Sequence, residues 1–189
     1  MNKMKFIITL VFSLFLSGTS FAEMKDINLE KSSVKWLGEK VLGKHYGTVK
    51  LKSGKIDLEG ENLKGGEFVM DMTSINCEDL EGEWKTKLEN HLKDKDFFDT
   101  KNHPESTFVV KVAQSKGKDA WEVTGDLTIK GTKAPVTFVA KKSDKNTLDA
   151  DIVFDRTKYN VKYNSSRFFE NLGEKVIKDE VKMTVSLAL

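Results

Sequence analysis

Most of this chain alternates between apolar and polar positions with a period of two, the signature of strands with one dry face. In "TVKLKSGKIDLEG" Val49, Leu51, Ile56 and Leu58 are the apolar set, and Ser53 with Gly54 supplies turn chemistry, so the stretch is predicted to be strand, turn, strand. The pattern recurs in "EFVMDMTSI" (Phe68, Met70, Met72), "STFVVKV" (Phe108, Val110, Val112) and "WEVTGDLTIKG" (Trp121, Val123, Leu127, Ile129). It continues through "PVTFVA", "TLDADIVF" with Phe154, and "EVKMTVSLAL" with Met183. With an opening strand around Val34 and Trp36, these segments predict about eight to nine strands. Pro135 stands at a strand start, one of the few places where a sheet tolerates proline.

Two stretches break the period. "DLEGEWKTKLENHLKDKD" spaces Leu80, Trp84, Leu88 and Leu92 four apart, with acids early and Lys93 and Lys95 late, which predicts a helix after the third strand. "NSSRFFENLG" offers Ser165 or Ser166 as an N-cap and Gly173 as a stop, which predicts a short helix near the C-terminus. Strands with one wet and one dry face must bury the dry faces together, so the pattern alone leaves an antiparallel sandwich or a closed barrel. Met70, Met72 and Met183 among the inward positions suit either an adaptable core or a variable occupant.

The first residues change the picture of location. A lysine-bearing start, an apolar run from Phe6 to Leu16 and small residues ending at Ala22 read as a secretory signal peptide over 1–22, too short for a membrane span. Residues 23–189 then form one domain in an exported, periplasmic or secreted protein, with no stable membrane insertion. Losing the leader removes Lys3 and Lys5 and no acid, which balances basic and acidic residues and gives no electrostatic reason for nucleic acid as a partner. Cys77 is the single cysteine, so no internal disulfide can form, and a small half-buried residue at an element boundary is the reading preferred for it.

Five stretches carry a resemblance: "SSVKWLGEKVLGKHYGTVKLKSGKIDLEG", "GGEFVMDMTSI", "LENHLKDKDFFDTKNHPESTF", "VTGDLTIKGTKAPV" and "FDRTKYNVKYNSSRFFENLGEKVIKDEV". In this order they resemble the YceI-like proteins, also described as polyisoprenoid-binding or lipocalin-like periplasmic proteins. The resemblance implies an all-β, extended eight-stranded antiparallel barrel around a long apolar cavity. It also implies a non-catalytic role, without a cofactor, in binding or carrying a long-chain amphiphile such as a polyisoprenoid or an isoprenoid quinone-like lipid. A stress-protective envelope protein acting through protein contacts, or a small secreted enzyme, are the alternatives.

Candidate ligand contacts follow. Trp36, Met70, Met72 and Phe154 lie at inward strand positions, and Trp84 and Leu88 lie on the helix stripe. The pairs Phe97, Phe98 and Phe168, Phe169 are expected to cover barrel openings, with Phe98 and Phe169 turned toward the cavity, or else to pack helix against barrel. His45 is a candidate for a polar head group. Arg156 is either a phosphate-gripping guanidinium or an ion pair with Asp155 or a neighbouring strand. His45, His91 and His103 have no HxH or HExxH spacing, so no metal site is expected, and no GxSxG elbow marks a nucleophile.

Overall fold

The computed structural model describes residues 23–189, so the leader expected over 1–22 lies outside the described residues. Nine strands are present: β1 (Glu23–Asp26), β2 (Asn28–Lys40), β3 (Lys44–Glu59), β4 (Asn62–Cys77), β5 (Glu105–Ser115), β6 (Ala120–Ile129), β7 (Thr132–Asp144), β8 (Thr147–Asp155) and β9 (Ile177–Ala188). One helix, α1 (Gly82–Lys93), joins β4 to β5, and two short 3-10 helices cover Arg156–Tyr159 and Gly173–Lys175. All pairings are antiparallel, in the order β3-β2-β9-β8-β7-β6-β5-β4, and β4 pairs back onto β3 to close an eight-stranded barrel. β1 is the extra strand, paired with Lys55–Leu58 of β3.

Strand β6 shows why the sequence folds this way. Trp121, Val123, Leu127 and Ile129 are buried on alternate positions, and Trp121 faces Ala140 of β7, also buried. The fifth inward position of β6 is Gly125, where an added Cβ would collide with the Phe108 ring and stand 2.6 Å from the Val109 carbonyl oxygen. Gly125→Val is therefore expected to destabilise the barrel by about 1–3 kcal/mol through overpacking, checked by urea denaturation.

Ser53 and Gly54 do not form the expected turn. β3 runs unbroken from Lys44 to Glu59, and its hairpin turn to β4 falls at Gly60, where φ is +61°, and Glu61. The sequence signal was real but had a different cause. Burial follows residues 47, 49 and 51, then switches to 54, 56 and 58, and the pairing register with β4 slips between Leu51 and Ser53. A β-bulge flips the phase of alternation and leaves the strand intact. Gly54 is required at the bend because a Cβ there would sit on the Ile27 side chain.

The expected helix over Ser165–Gly173 is also corrected. That segment is a set of turns leading into the 3-10 helix at Gly173–Lys175. Ser165 does cap it: its carbonyl accepts from the Phe168 and Phe169 N–H groups and its hydroxyl from the Arg167 N–H, at 3.0, 3.0 and 3.3 Å. Arg167 then turns outward to Asp155 and Asp179, which ends the helical path after one turn.

The barrel wall parts where β7 and β8 pair only through Lys142–Asp144 and Ala140–Lys141 at one end. The 3-10 helix at Arg156–Tyr159 fills the opening, with Tyr159 buried edge-on against Phe154 at 5.6 Å and its hydroxyl 3.5 Å from the Ala134 carbonyl. Burial, and to a lesser degree Asp155, pushes the Tyr159 phenol up to about 12, so it stays a neutral donor.

Candidate ligand cavity

Inside the barrel lies a cavity of about 690 Å³. Its walls are built from the inward positions of β2 to β9: Trp36 and Val34 from β2, Met70 and Met72 from β4, Phe154 from β8 and Met183 from β9 are representative. Trp36 is fixed by its indole N–H, which donates to the Thr48 carbonyl at 3.2 Å. The lining is overwhelmingly apolar and falls in two packed clusters bridged by Leu51, Met70, Phe98, Met183 and Val185. Apolar walls with few polar groups suit a hydrocarbon occupant.

One end carries most of the polar groups; Ser106 and, toward the other end, Asp149 are the further ones. The β2–β3 hairpin, α1 and the segment between β8 and β9 meet at the polar end, and Glu39, Lys40, His45, Asn164, Lys175 and Lys178 line the opening. Glu39 is held by Lys178 at 3.5 Å and Lys182 at 3.1 Å, and the hydrogen bond from Lys182 leads in lowering its carboxyl below the usual range. Helix α1 lies across this end with Leu92 buried, Leu88 and His91 on the cavity wall and Trp84 outside.

Sequence reasoning placed Trp36, His45, Met70, Met72, Leu88, Phe98, Phe154 and Arg156 at a ligand, and all of these stand on the cavity wall. Two others do not. Trp84 is 70% exposed and stacks only under the Lys87 ammonium, 4.9 Å from its ring, because the first turn of α1 stands on the outer side of the rim, away from the cavity. Phe169 and its neighbour Phe168 are 48% and 47% exposed, since the turn that replaced the expected helix faces them outward. Phe97, expected only to cover the opening beside Phe98, also lines the cavity: it is buried and stands edge-on to Phe98 at 5.2 Å and to His91 at 5.6 Å. Tyr163, 4.5 Å from the His91 ring, and His91 itself were missed, although His91 at three residues from Leu88 shares the helix stripe.

Arg156 is not free to grip a head group. It is 1% exposed, and its Nε, Nη1 and Nη2 donate to the carbonyls of Lys178, Val161 and Ile177 at 3.1, 2.9 and 3.0 Å. Nη2 also pairs with Asp179 of β9 at 3.4 Å, and the guanidinium lies 5.7 Å from the Phe97 ring centroid. Of the two roles open from sequence, the ion pair to a neighbouring strand is the one observed. Asp155 is instead taken by Arg167 at 2.7 Å.

His45 points its Nδ1 at Asp79, 2.8 Å away, and Cys77 Sγ donates to the other oxygen of the same carboxylate at 3.2 Å. Cys77 is fully buried, and burial, followed by the bond to Asp79, raises its thiol pKa. A carboxylate beside the sulfur opposes thiolate formation, the reverse of what activates a nucleophilic cysteine. Among the described residues no group of three or more His, Cys, Asp or Glu could hold a metal ion, and no helix is long and apolar enough to cross a membrane.

The carboxyls at this end make stability acid-sensitive. Burial pushes Asp79 up, but the Tyr46 N–H, His45 and Cys77 together bring it below the usual range. Burial likewise pushes Asp155 up, and the Thr157 and Arg167 contacts outweigh it. A carboxyl with a lowered folded pKa stabilises above its unfolded value, near ~3.9, and that contribution is lost as pH falls through the folded value. The midpoint of thermal unfolding is expected to fall below about pH 4, and Asp155→Asn should remove part of that acid dependence in melts recorded across pH.

A family model described as a YceI-like domain matches residues 26–189. A UPF0312 protein of Pseudomonas putida strain W619 is 31% identical over 97 residues, which are 50% of this chain and 47% of that protein. Protein YceI of Escherichia coli O6:H1 strain CFT073 is 31% identical over 98 residues, 51% of this chain and 48% of that protein. The matched segments thus span about half the length of these curated relatives. Among solved structures, BcnA of Burkholderia cenocepacia superposes with a TM-score of 0.69 at 22% identity, over 87% of this chain and 99% of that one. A polyisoprenoid binding domain from Saccharophagus degradans superposes with a TM-score of 0.59 at 12% identity, over 86% and 95%. These likenesses show a shared fold.

Proposed function

The chain belongs to the family of YceI-like domains, and on that premise we propose that it is a periplasmic, non-catalytic carrier of a long-chain amphiphile such as a polyisoprenoid or isoprenoid quinone-like lipid. The observation that carries this reading is the apolar cavity of about 690 Å³ with most of its polar groups gathered at one end. A tail would fill the apolar body, and a head group would rest near His45, Lys175 and Lys178. The structural neighbour from Saccharophagus degradans is described as a polyisoprenoid binding domain, which supports the same class of ligand here. The leader over residues 1–22 supports export.

Magnitudes favour the tail as the source of affinity. Twenty buried carbons contribute on the order of 16 kcal/mol gross at ~0.8 kcal/mol per methylene. Immobilising the ligand and ordering its tail offset several to more than ten kcal/mol of that. Where that cost stays below about 8 kcal/mol, the remainder gives micromolar binding or better without any head-group contact. Native mass spectrometry of protein purified from its own cells without detergent should show one lipid per chain. A lipid-free spectrum, combined with failure to take up polyprenols of any length, would refute the proposal.

A further inference from the structure

The three most exposed of the large apolar side chains on the described residues all stand at the open end of the cavity. They are Trp84, Leu42 and Val41, at 70%, 62% and 57% exposure. Val41 and Leu42 form the tip of the β2–β3 hairpin, which is closed by the Lys40 N–H to the Gly43 carbonyl at 2.9 Å and braced by the Val41 N–H on the Val176 carbonyl at 3.2 Å. Leu42 and Leu88 line the same mouth, and Trp84 is one helical turn before Leu88 on the stripe of α1, so it stands beside that rim. Tyr46, Phe168 and Phe169 add half-exposed rings at this end of the barrel. The opposite end exposes less: its turns at Gly60–Glu61, Lys116–Asp119 and Lys145–Asn146 are polar, and Met24 and Leu29 near it are 45% and 40% exposed.

Charge around the hairpin is complementary to an anionic surface. Lys40 and Lys44 flank its tip and Lys175 lies beside it, and none of the three has an ion pair among the described residues. Glu39, the acid within the mouth, is already held by Lys178 and Lys182, which leaves Glu174 as the opposing charge beside the hairpin, while Glu81 and Glu83, the latter paired with Lys87, flank Trp84 and Glu170 follows Phe169. Exposed Trp, Tyr and aliphatic side chains interleaved with lysines match the layered chemistry of a bilayer interface, apolar below and anionic at the surface.

We propose that this rim docks the mouth of the barrel onto an anionic lipid bilayer. The inference rests on the carrier reading, because a hydrocarbon tail passing directly between bilayer and cavity avoids exposure to water over its whole length. Leu42 bridges the two environments: it is exposed on the rim and also lines the cavity. Val41 and Trp84 belong to the rim alone.

The test uses residues 23–189, which contain the whole closed barrel and exclude the apolar leader. Flotation is measured with phosphatidylcholine vesicles and with phosphatidylcholine vesicles containing a minority of phosphatidylglycerol. The protein should float with the anionic vesicles, less with the neutral ones, and less as salt is raised. Val41→Glu with Trp84→Glu should cut flotation about tenfold while native mass spectrometry still finds the cavity lipid. Equal flotation of parent and double variant, or none by either, overturns the docking surface and leaves the carrier reading standing if lipid is still bound. A parent that is dimeric on gel filtration and a double variant that is monomeric would assign the rim to a second copy of this chain and overturn the bilayer. Docking that persists in a protein unable to hold any lipid would sink the carrier reading alone.

Discussion

Arg156→Met is expected to lower the free energy of unfolding by roughly 3 kcal/mol, the scale for removing one partner from a buried charged network. The methionine preserves most of the volume, so the loss isolates the guanidinium's hydrogen bonds. Three carbonyls, of Lys178, Val161 and Ile177, lose their donor together, and Asp179 keeps only Arg167. Those carbonyls fix the start of β9 and the segment after β8, which form one side of the cavity mouth. Urea denaturation of ligand-free protein measures the effect. Arg156→Lys should recover little, because one ammonium cannot reach three carbonyls in a planar fork. A loss below about 1 kcal/mol for both variants would show that water replaces the guanidinium and that Arg156 does not organise the mouth.

Phe98→Asp is expected to weaken lipid retention at least tenfold, about 1.4 kcal/mol. Phe98 is partly buried, touches both apolar clusters and lines the cavity, so the substitution sets a carboxylate where a tail would pass. Phe97 is the contrast. It is buried between His91, Phe98 and Tyr163 under Arg156, so Phe97→Asp should chiefly destabilise the lipid-free fold. Phe168→Asp and Phe169→Asp, on an exposed turn, should change neither retention nor stability appreciably. Bound lipid by native mass spectrometry and thermal midpoints on the four variants separate these roles. Full lipid occupancy in Phe98→Asp would make Phe98 an ordinary packing residue.

Much of the fold was legible from alternation, because a strand with one dry face writes its orientation into every second residue. β6 is the clearest case, with inward Trp121, Val123, Leu127 and Ile129. What local pattern could not distinguish was a turn from a bulge at Ser53 and Gly54, since both shift the phase by one. The difference lies in whether the next residues keep pairing with the same partner, and β4 does keep pairing across the bulge. The helix stripe was legible as a stripe, but not where the barrel ends along it, which is why Leu88 faces the cavity and Trp84 does not.

The sequence by itself determined the element types, the inward set of most strands and a candidate wall that includes Trp36, Met70, Met72 and Phe154, because these follow from periodicities of 2.0 and 3.6 residues. Only the tertiary structure decided that the sheet closes on itself through β2 and β9, that Arg156 is consumed by carbonyls of another strand, and that Val41, Leu42 and Trp84 gather at one opening. The closing pairing joins residues more than a hundred positions apart, as the Lys182–Glu39 contact across β2 and β9 does. Local hydrophobic pattern sets which face of an element is dry, and long-range closure sets what that face meets.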